Sequence, residues 1–288
     1  MNRFAMTVSM AFFSLVSARS FAFPELNRQL PPSPEFAPYA STYDFKGIVA
    51  LSNCSGSLVR FDDSADEDQG MILTNGHCVG MLDPGVVMSN QSANRTFDIL
   101  SATASRLGTV RATRLLYATM TKTDVGLYQL QETYGEILKK YQIQALTLAR
   151  TQPVVNTDIE VISGYWKRGY GCTIEAITHT LQEGKWLFES SVRYSRPGCE
   201  VIGGTSGSPV VEAGTRTVVA VNNTINESGA KCQVNNPCEV NEDGSIYYKK
   251  GIGYAQETFW FYSCRNADGQ LDLNADGCLL PRPKAFAH

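Results

Sequence analysis

Three residues of the types that cooperate in nucleophilic catalysis stand in short sequences with marked local features. His77 lies in Leu73-Thr74-Asn75-Gly76-His77-Cys78, and Asp124 heads Asp124-Val125-Gly126-Leu127-Tyr128-Gln129-Leu130. Ser206 lies in Gly203-Gly204-Thr205-Ser206-Gly207-Ser208-Pro209-Val210-Val211. A serine hydroxyl is a weak nucleophile until a neighbouring base takes its proton. Imidazole is that base when a carboxylate accepts its Nδ1–H, fixes the tautomer and stabilises the imidazolium. An acid leading an apolar strand, as Asp124 does, is drawn into a partly buried place. The small residues around Ser206 have their own reason. At Gly204 the backbone is free to turn so that its N–H and that of Ser206 point at one spot, where two donors stabilise a developing oxyanion. The chemistry implied is acyl transfer through a covalent acyl-serine.

Chain order separates this arrangement from its rivals. It runs His, Asp, Ser, with 47 residues from His77 to Asp124 and 82 from Asp124 to Ser206. The order of the α/β-hydrolases needs a histidine after Ser206, and only His288, the last residue, qualifies. The G-x-S-x-G motif also fails, because position 208 is serine. His179 would give the subtilisin order, but the alternating helices of that class are missing from the pattern.

The elements that must hold these residues read as short strands. Candidates in the first half are 47–51, 56–59, 71–74, 109–116 and 125–130; those in the second are 159–163, 174–180, 186–193, 208–211, 218–222 and 251–256. Residues 131–142 alone have helical composition and fit a connection between two halves. Many short strands with few helical patterns predict an all-β barrel or sandwich. With 43% hydrophobic and 18% charged residues, the chain has ordinary globular composition. A basic start at Arg3, an apolar run from Phe4 to Val16 and the small-x-small site Ser20-Phe21-Ala22 read as a signal peptide over 1–22. Its loss removes Arg3 and Arg19 and takes the formal charge from −3 to −5. No basic run points to nucleic acid, and no later segment is apolar enough to span a membrane, so a secreted (extracellular or periplasmic), monomeric protein is expected. Prolines 31, 32, 34 and 38 mark 23–45 as a linker or propeptide. Eight cysteines in an exported chain predict a disulfide framework, whereas zinc is disfavoured by the absence of C-x-x-C.

The sequence Cys54-Ser55-Gly56-Ser57-Leu58-Val59 with Thr74-Asn75-Gly76-His77-Cys78 resembles the C-G-G-S-L-I and T-A-A-H-C segments of trypsin-like serine proteases. Asp124–Leu130 resembles their D-I-A-L-L-x-L segment, which Phe97-Asp98-Ile99-Leu100 does not. Gly204–Val210 matches G-x-S-G-S-P-V of the bacterial trypsin-like and glutamyl-endopeptidase branch. This resemblance, over roughly 46–257, implies two six-stranded antiparallel β-barrels with a catalytic cleft between them: an N-terminal barrel over 46–142, a C-terminal barrel over 143–257 and a disulfide-closed tail over 258–288. It implies a serine endopeptidase acting on proteins or peptides with His77, Asp124 and Ser206 as triad and the Gly204 and Ser206 N–H groups as oxyanion hole. The competing expectation is a silent homologue that only binds. The resemblance further implies Cys54–Cys78, beside His77, and Cys172–Cys199; the remaining four are expected to pair as Cys232–Cys238 and Cys264–Cys278, although spacing alone does not fix their connectivity.

One departure from the family and one position bearing on specificity stand out. Thr205 occupies the place of the aspartate that captures a new amino terminus in trypsin-like zymogens, so an activating ion pair of that kind is unavailable. Glu200 falls at the family's offset for the acid at the base of the specificity pocket, where it would favour Lys or Arg, although it could equally be structural. Asn222, Asn223 and Thr224 would form the pocket wall, and no histidine stands there to receive an acidic substrate. No metal or cofactor is required. Asp272, Asn274 and Asp276 match the start of a calcium loop, but Pro283 takes the place of the bidentate glutamate, and a cystine-closed hairpin explains the same residues.

Overall fold

The computed structural model describes residues 43–283; the expected signal peptide, and the linker up to residue 42, lie outside the described residues. Of the described residues 44% are strand and 7% helix. In the first half the strands are β1 (Ile48–Ala50), β2 (Ser55–Arg60), β3 (Gln69–Thr74), β4 (Val87–Ser92), β5 (Thr96–Leu100), β6 (Arg106–Thr119) and β7 (Val125–Thr133), with the short helix α1 (Gly76–Val79) after β3. Pairing runs β1-β5-β6-β7-β3-β2 and returns to β1. Each of those contacts is antiparallel, so six strands close into a barrel with no free edge. Alternation places the residues: Val110 and Ala112 of β6 are buried while Arg111 between them faces water. Helix α2 (Tyr134–Tyr141) follows β7. Thr133 and Glu136 cap it reciprocally, and Gln142 ends it in a left-handed turn at φ 57°.

β8 (Leu146–Leu148) carries the chain between the halves, pairing parallel with β2 on one side and with Thr217–Ile225 (β15) on the other. The second half contains β9 (Asp158–Ser163), β10 (Arg168–Ile177), β11 (Thr180–Glu183), β12 (Trp186–Glu189), β13 (Val192–Tyr194), β14 (Pro209–Glu212), β15 (Thr217–Ile225), β16 (Cys238–Val240), β17 (Ile246–Tyr247) and β18 (Gly253–Glu257). The order β15-β14-β9-β10-β13-β18 closes through β15–β18 into a second antiparallel six-stranded ring. The remaining strands form a smaller sheet, β12-β11-β16-β17. The two-barrel, chymotrypsin-like architecture is therefore present.

The stretch 186–193, expected as one strand, is two. Ser190 adopts φ 54° and breaks it, so that β12 joins the small sheet and β13 the barrel. The final residues are tied closely to the rest. Helix α3 (Trp260–Ser263) sends Phe261, fully buried, edge-on to Tyr117 of the first barrel at 6.4 Å. Tyr117 also donates its hydroxyl to the Pro281 carbonyl at 2.9 Å, and Arg265 pairs with Asp63. One apolar cluster accordingly contains residues of both barrels and of the tail, among them Leu73, Val125, Val211, Val221, Phe261 and Leu280. Four disulfides are formed, Cys54–Cys78, Cys172–Cys199, Cys232–Cys238 and Cys264–Cys278. In the tail, Asp272 Oδ1 accepts the Asn274 N–H at 2.8 Å inside the loop that Cys264–Cys278 closes. That is the arrangement of a hairpin held by turn bonds and a cystine.

Candidate active site

His77 sits on α1, directly after β3 and beside the Cys54–Cys78 bridge. Gly76 permits this close seat, since a Cβ there would lie 2.0 Å from the Thr119 carbonyl oxygen. Asp124 is 1% exposed, immediately before β7. Its Oδ2 lies 2.6 Å from His77 Nδ1, and its Oδ1 accepts the His77 backbone N–H at 2.9 Å. Asn75 adds a bond from Nδ2 to the Asp124 carbonyl at 2.8 Å. The carboxylate thus fixes the ring through two bonds in a direction that leaves Nε2 for other work. Burial disfavours the imidazolium, but the charge and hydrogen bond of Asp124, with help from Glu183, outweigh it and raise the His77 pKa above the ordinary histidine value. Asp98, the other acid considered, pairs with Arg106 at the surface, and His179 faces Glu242 at 3.7 Å, also exposed.

Ser206 comes from the loop before β14. Its Oγ donates to the Asn223 carbonyl at 3.4 Å rather than to His77. Catalytic hydrogen bonds commonly tighten only when substrate is bound. The loop around it is pinned from both barrels: Ser55 N–H donates to the Ser206 carbonyl at 2.8 Å, and Gly207 N–H to the Asn222 carbonyl at 2.9 Å. Thr205, standing where zymogens carry an acid, is held locally instead. Its hydroxyl donates to the Ile202 carbonyl at 2.5 Å and accepts from Asn222 Nδ2 at 3.2 Å. Gly204 takes φ +93°. Among the described residues none accepts a hydrogen bond from the Gly204 or the Ser206 N–H. Two unpaired donors beside a serine are what an oxyanion site requires.

His77, Asp124 and Ser206 line one cleft of about 110 Å³ together with Asn222, Asn223 and Thr224. A larger depression of about 930 Å³ lies between the tail and the first barrel and contains none of the three. Glu200 corrects an expectation. It does not line the cleft, its side chain is 48% exposed, and both carboxylate oxygens accept the Gly198 N–H at 3.1–3.2 Å. A hydrated carboxylate bound to its own turn is not a buried charge awaiting a cation. The cleft contains two acids that sequence reasoning missed, Glu183 and Glu227, and no Lys or Arg. Glu183 is buried and accepts the Asn235 N–H at 2.7 Å. Burial raises its pKa, against the opposing pull of Asn235, Thr224 and His77. Glu227 is exposed and reaches toward Gly203, whose Cβ, if present, would lie 3.6 Å from Glu227 Oε1. Cys54, Cys78 and His77 also come close together, but both sulfurs are spent in a disulfide and offer no thiolate to a metal.

The model of the trypsin-like peptidase domain matches residues 54–221, more than half of the chain. The protein belongs to the trypsin-like peptidase family. No curated protein matches its sequence. Among solved structures, the trypsin-like chain is similar to the MamO protease domain from Magnetospirillum magneticum in its apo form. That match has 13% identity and TM-score 0.45, covering 75% of this chain and 94% of that one. A Glu endopeptidase in complex with MPD matches at 14% identity and TM-score 0.45, covering 78% and 90%. Cellulomonas bogoriensis chymotrypsin matches at 13% identity and TM-score 0.40, covering 75% and 90%.

Proposed function

We propose that this trypsin-like peptidase is a secreted serine endopeptidase that works through an acyl-enzyme on His77, Asp124 and Ser206. The observation that carries the reading is the Asp124 carboxylate on His77 Nδ1, in one cleft with a serine flanked by two unpaired backbone N–H groups. In the reaction, Ser206 Oγ bonds to the scissile carbonyl carbon as its proton passes to His77 Nε2. The carbonyl oxygen takes up negative charge facing the Gly204 and Ser206 N–H groups. The carbon–nitrogen bond then breaks, with His77 returning the proton to the leaving amine. Water repeats the sequence on the acyl-serine and frees the acid. Four disulfides support an oxidising destination, and no helix among the described residues is long and apolar enough to cross a membrane.

Labelling with a fluorophosphonate followed by peptide mapping tests this directly. Ser206 is modified in the folded wild type, and label is lost in Ser206→Ala and after heat unfolding. A folded protein that never labels supports the silent, binding-only reading, with which the Ser206–Asn223 hydrogen bond is compatible.

The finer reading is a preference for Lys or Arg side chains, supported by the two acids and the lack of cations in the cleft lining. Glu227 is the better probe, since its carboxylate has no hydrogen-bond or ion-pair partner among the described residues, whereas that of Glu183 is bonded to Asn235. Cleavage-site mapping on a denatured protein library gives cuts mainly after Lys and Arg, and Glu227→Gln weakens that preference about tenfold or more, one charge-assisted contact being lost. Cuts after small or aromatic residues in the wild type refute the preference and leave the triad standing.

A further inference from the structure

The Gly203–Gly204 peptide is the part of the oxyanion site with the least intrinsic constraint. Both of its residues lack a Cβ, and Gly204 already sits at φ +93°. In a trans peptide the carbonyl and the N–H point in opposite directions, so turning this unit over would put the Gly203 oxygen where the Gly204 N–H should be. An oxygen there repels a developing oxyanion. Some group must hold the orientation, and the acid that could have ordered this loop through an ion pair is replaced by Thr205.

One side chain does touch the peptide. Trp166 Nε1–H donates to the Gly203 carbonyl at 2.8 Å. The same nitrogen lies 2.8 Å from the place a Gly204 Cβ would occupy, so the indole lies against both residues. The indole is itself anchored. Tyr165 packs edge-on against it at 5.0 Å, and the Trp166 backbone N–H donates to Ser163 Oγ at 3.2 Å. Ser163 Oγ meets Ser55 Oγ at 3.0 Å, and both serines are fully buried. Ser55 Oγ also accepts the Tyr165 N–H, while the Ser55 N–H holds the Ser206 carbonyl at 2.8 Å. One network therefore reaches both donors of the site, Gly204 through Trp166 and Ser206 through Ser55.

We propose that Trp166 is a positioning residue of the oxyanion site, its indole N–H locking the Gly203–Gly204 peptide so that the Gly204 N–H faces the reacting carbonyl oxygen. The proposal rests on the serine-peptidase reading. Trp166→Phe keeps a ring and removes the donor. Loss of a full oxyanion donor lowers kcat by about 10²–10³. A peptide free to turn loses part of that, so kcat falls about 10- to 100-fold while KM changes less than about threefold. The pH midpoint of kcat/KM stays where it was, because His77 and Asp124 are untouched. A peptide aldehyde, whose adduct with Ser206 places an oxyanion in the site, loses affinity by a factor similar to that in kcat/KM, whereas a cleaved-product peptide binds as before. Trp166→Leu, which also removes the donor, is measured in parallel and serves if the phenylalanine variant does not fold.

Wild-type kcat and aldehyde affinity in the folded variant overturn the proposal. So does an equal loss of aldehyde and product-peptide binding, which marks a general disturbance of the cleft. Wild-type protein that fails to label at Ser206 sinks the peptidase reading and this inference with it; labelling wild type beside an unimpaired Trp166→Phe sinks the inference alone.

Discussion

Asp124→Asn lowers kcat by about 10⁴ while the protein remains folded. The size follows from which atom the amide must turn toward His77. Both oxygens of Asp124 accept from His77, Oδ1 from the backbone N–H and Oδ2 from the ring. The backbone N–H is a donor that cannot change, so the amide oxygen stays with it and the amide NH₂ faces Nδ1. Nδ1 must then accept, which places the ring proton on Nε2, the atom required to take the proton of Ser206. Near-wild-type kcat in Asp124→Asn, or a variant that no longer folds, rules out this division of roles.

The same carboxylate sets the pH response. In the wild type kcat/KM rises with pH through a midpoint above about 6.5, because His77 must be neutral and its pKa is raised. Burial is the largest influence on that pKa and lowers it; the charge and bond of Asp124 reverse the sign. In Asp124→Asn the residual activity therefore has a lower midpoint. Stability moves the other way. A histidine whose folded pKa is raised contributes stability fully below its unfolded value of about 6.5 and loses it as pH climbs through the folded value. The active, neutral form is thus the one that has given up this stabilisation. The corresponding downward slope in melting temperature appears in the wild type and is missing from Asp124→Asn.

The parts of this site written in local sequence were legible before any coordinates. The segments at 73–78, 124–130 and 203–211 each contain a residue of the proposed triad together with the glycines or apolar neighbours that seat it. Residues brought in from distant strands were not. Glu183 ends β11, and the Asn235 backbone that holds it comes from a loop 52 residues later. No local pattern joins them. Nor does any signal in Tyr165-Trp166 announce a bond to Gly203, 37 residues on. Glu200 was misplaced for a related reason. Counting back from Ser206 assumes the family's loop path, but the Gly198 turn beside Cys199, tied to Cys172, carries this carboxylate outward. Strand β5 and the split at Ser190 escaped because neither Gly nor Pro marks them, whereas β4 follows Pro84-Gly85 but runs through the polar Ser89-Asn90-Gln91-Ser92. The tail read as an appendage, although Trp260 and Phe261 bury their rings in the shared core.

Gly207→Ala destabilises the protein by about 2–5 kcal/mol and disables whatever remains folded. Two separate costs add. Gly207 has φ +79°, a left-handed conformation that costs an L side chain about 1–2 kcal/mol. A Cβ at this place would also lie 2.2 Å from the Ser55 carbonyl oxygen and 2.3 Å from Thr74 Oγ1. Neither can retreat freely, since Thr74 donates that hydroxyl to the same Ser55 carbonyl at 2.8 Å, and overpacking a well-filled site costs about 1–3 kcal/mol more. The clash falls on the seam where the nucleophile loop docks on the first barrel. Ser55 N–H reaches the Ser206 carbonyl there, and Thr74 stands three residues before His77. Relieving it pushes Ser206 away from the barrel that carries its base, and a displacement near 1 Å lowers the rate by about 10². Gly214→Ala is the internal control, with a similar φ of +74° and nothing within 4 Å of its Cβ. It bears the backbone strain alone, so its loss in thermal or urea unfolding stays near 1–2 kcal/mol and its fluorophosphonate labelling is unchanged. If the two variants melt alike and label alike, the nucleophile loop does not pack on Ser55 and Thr74 as described.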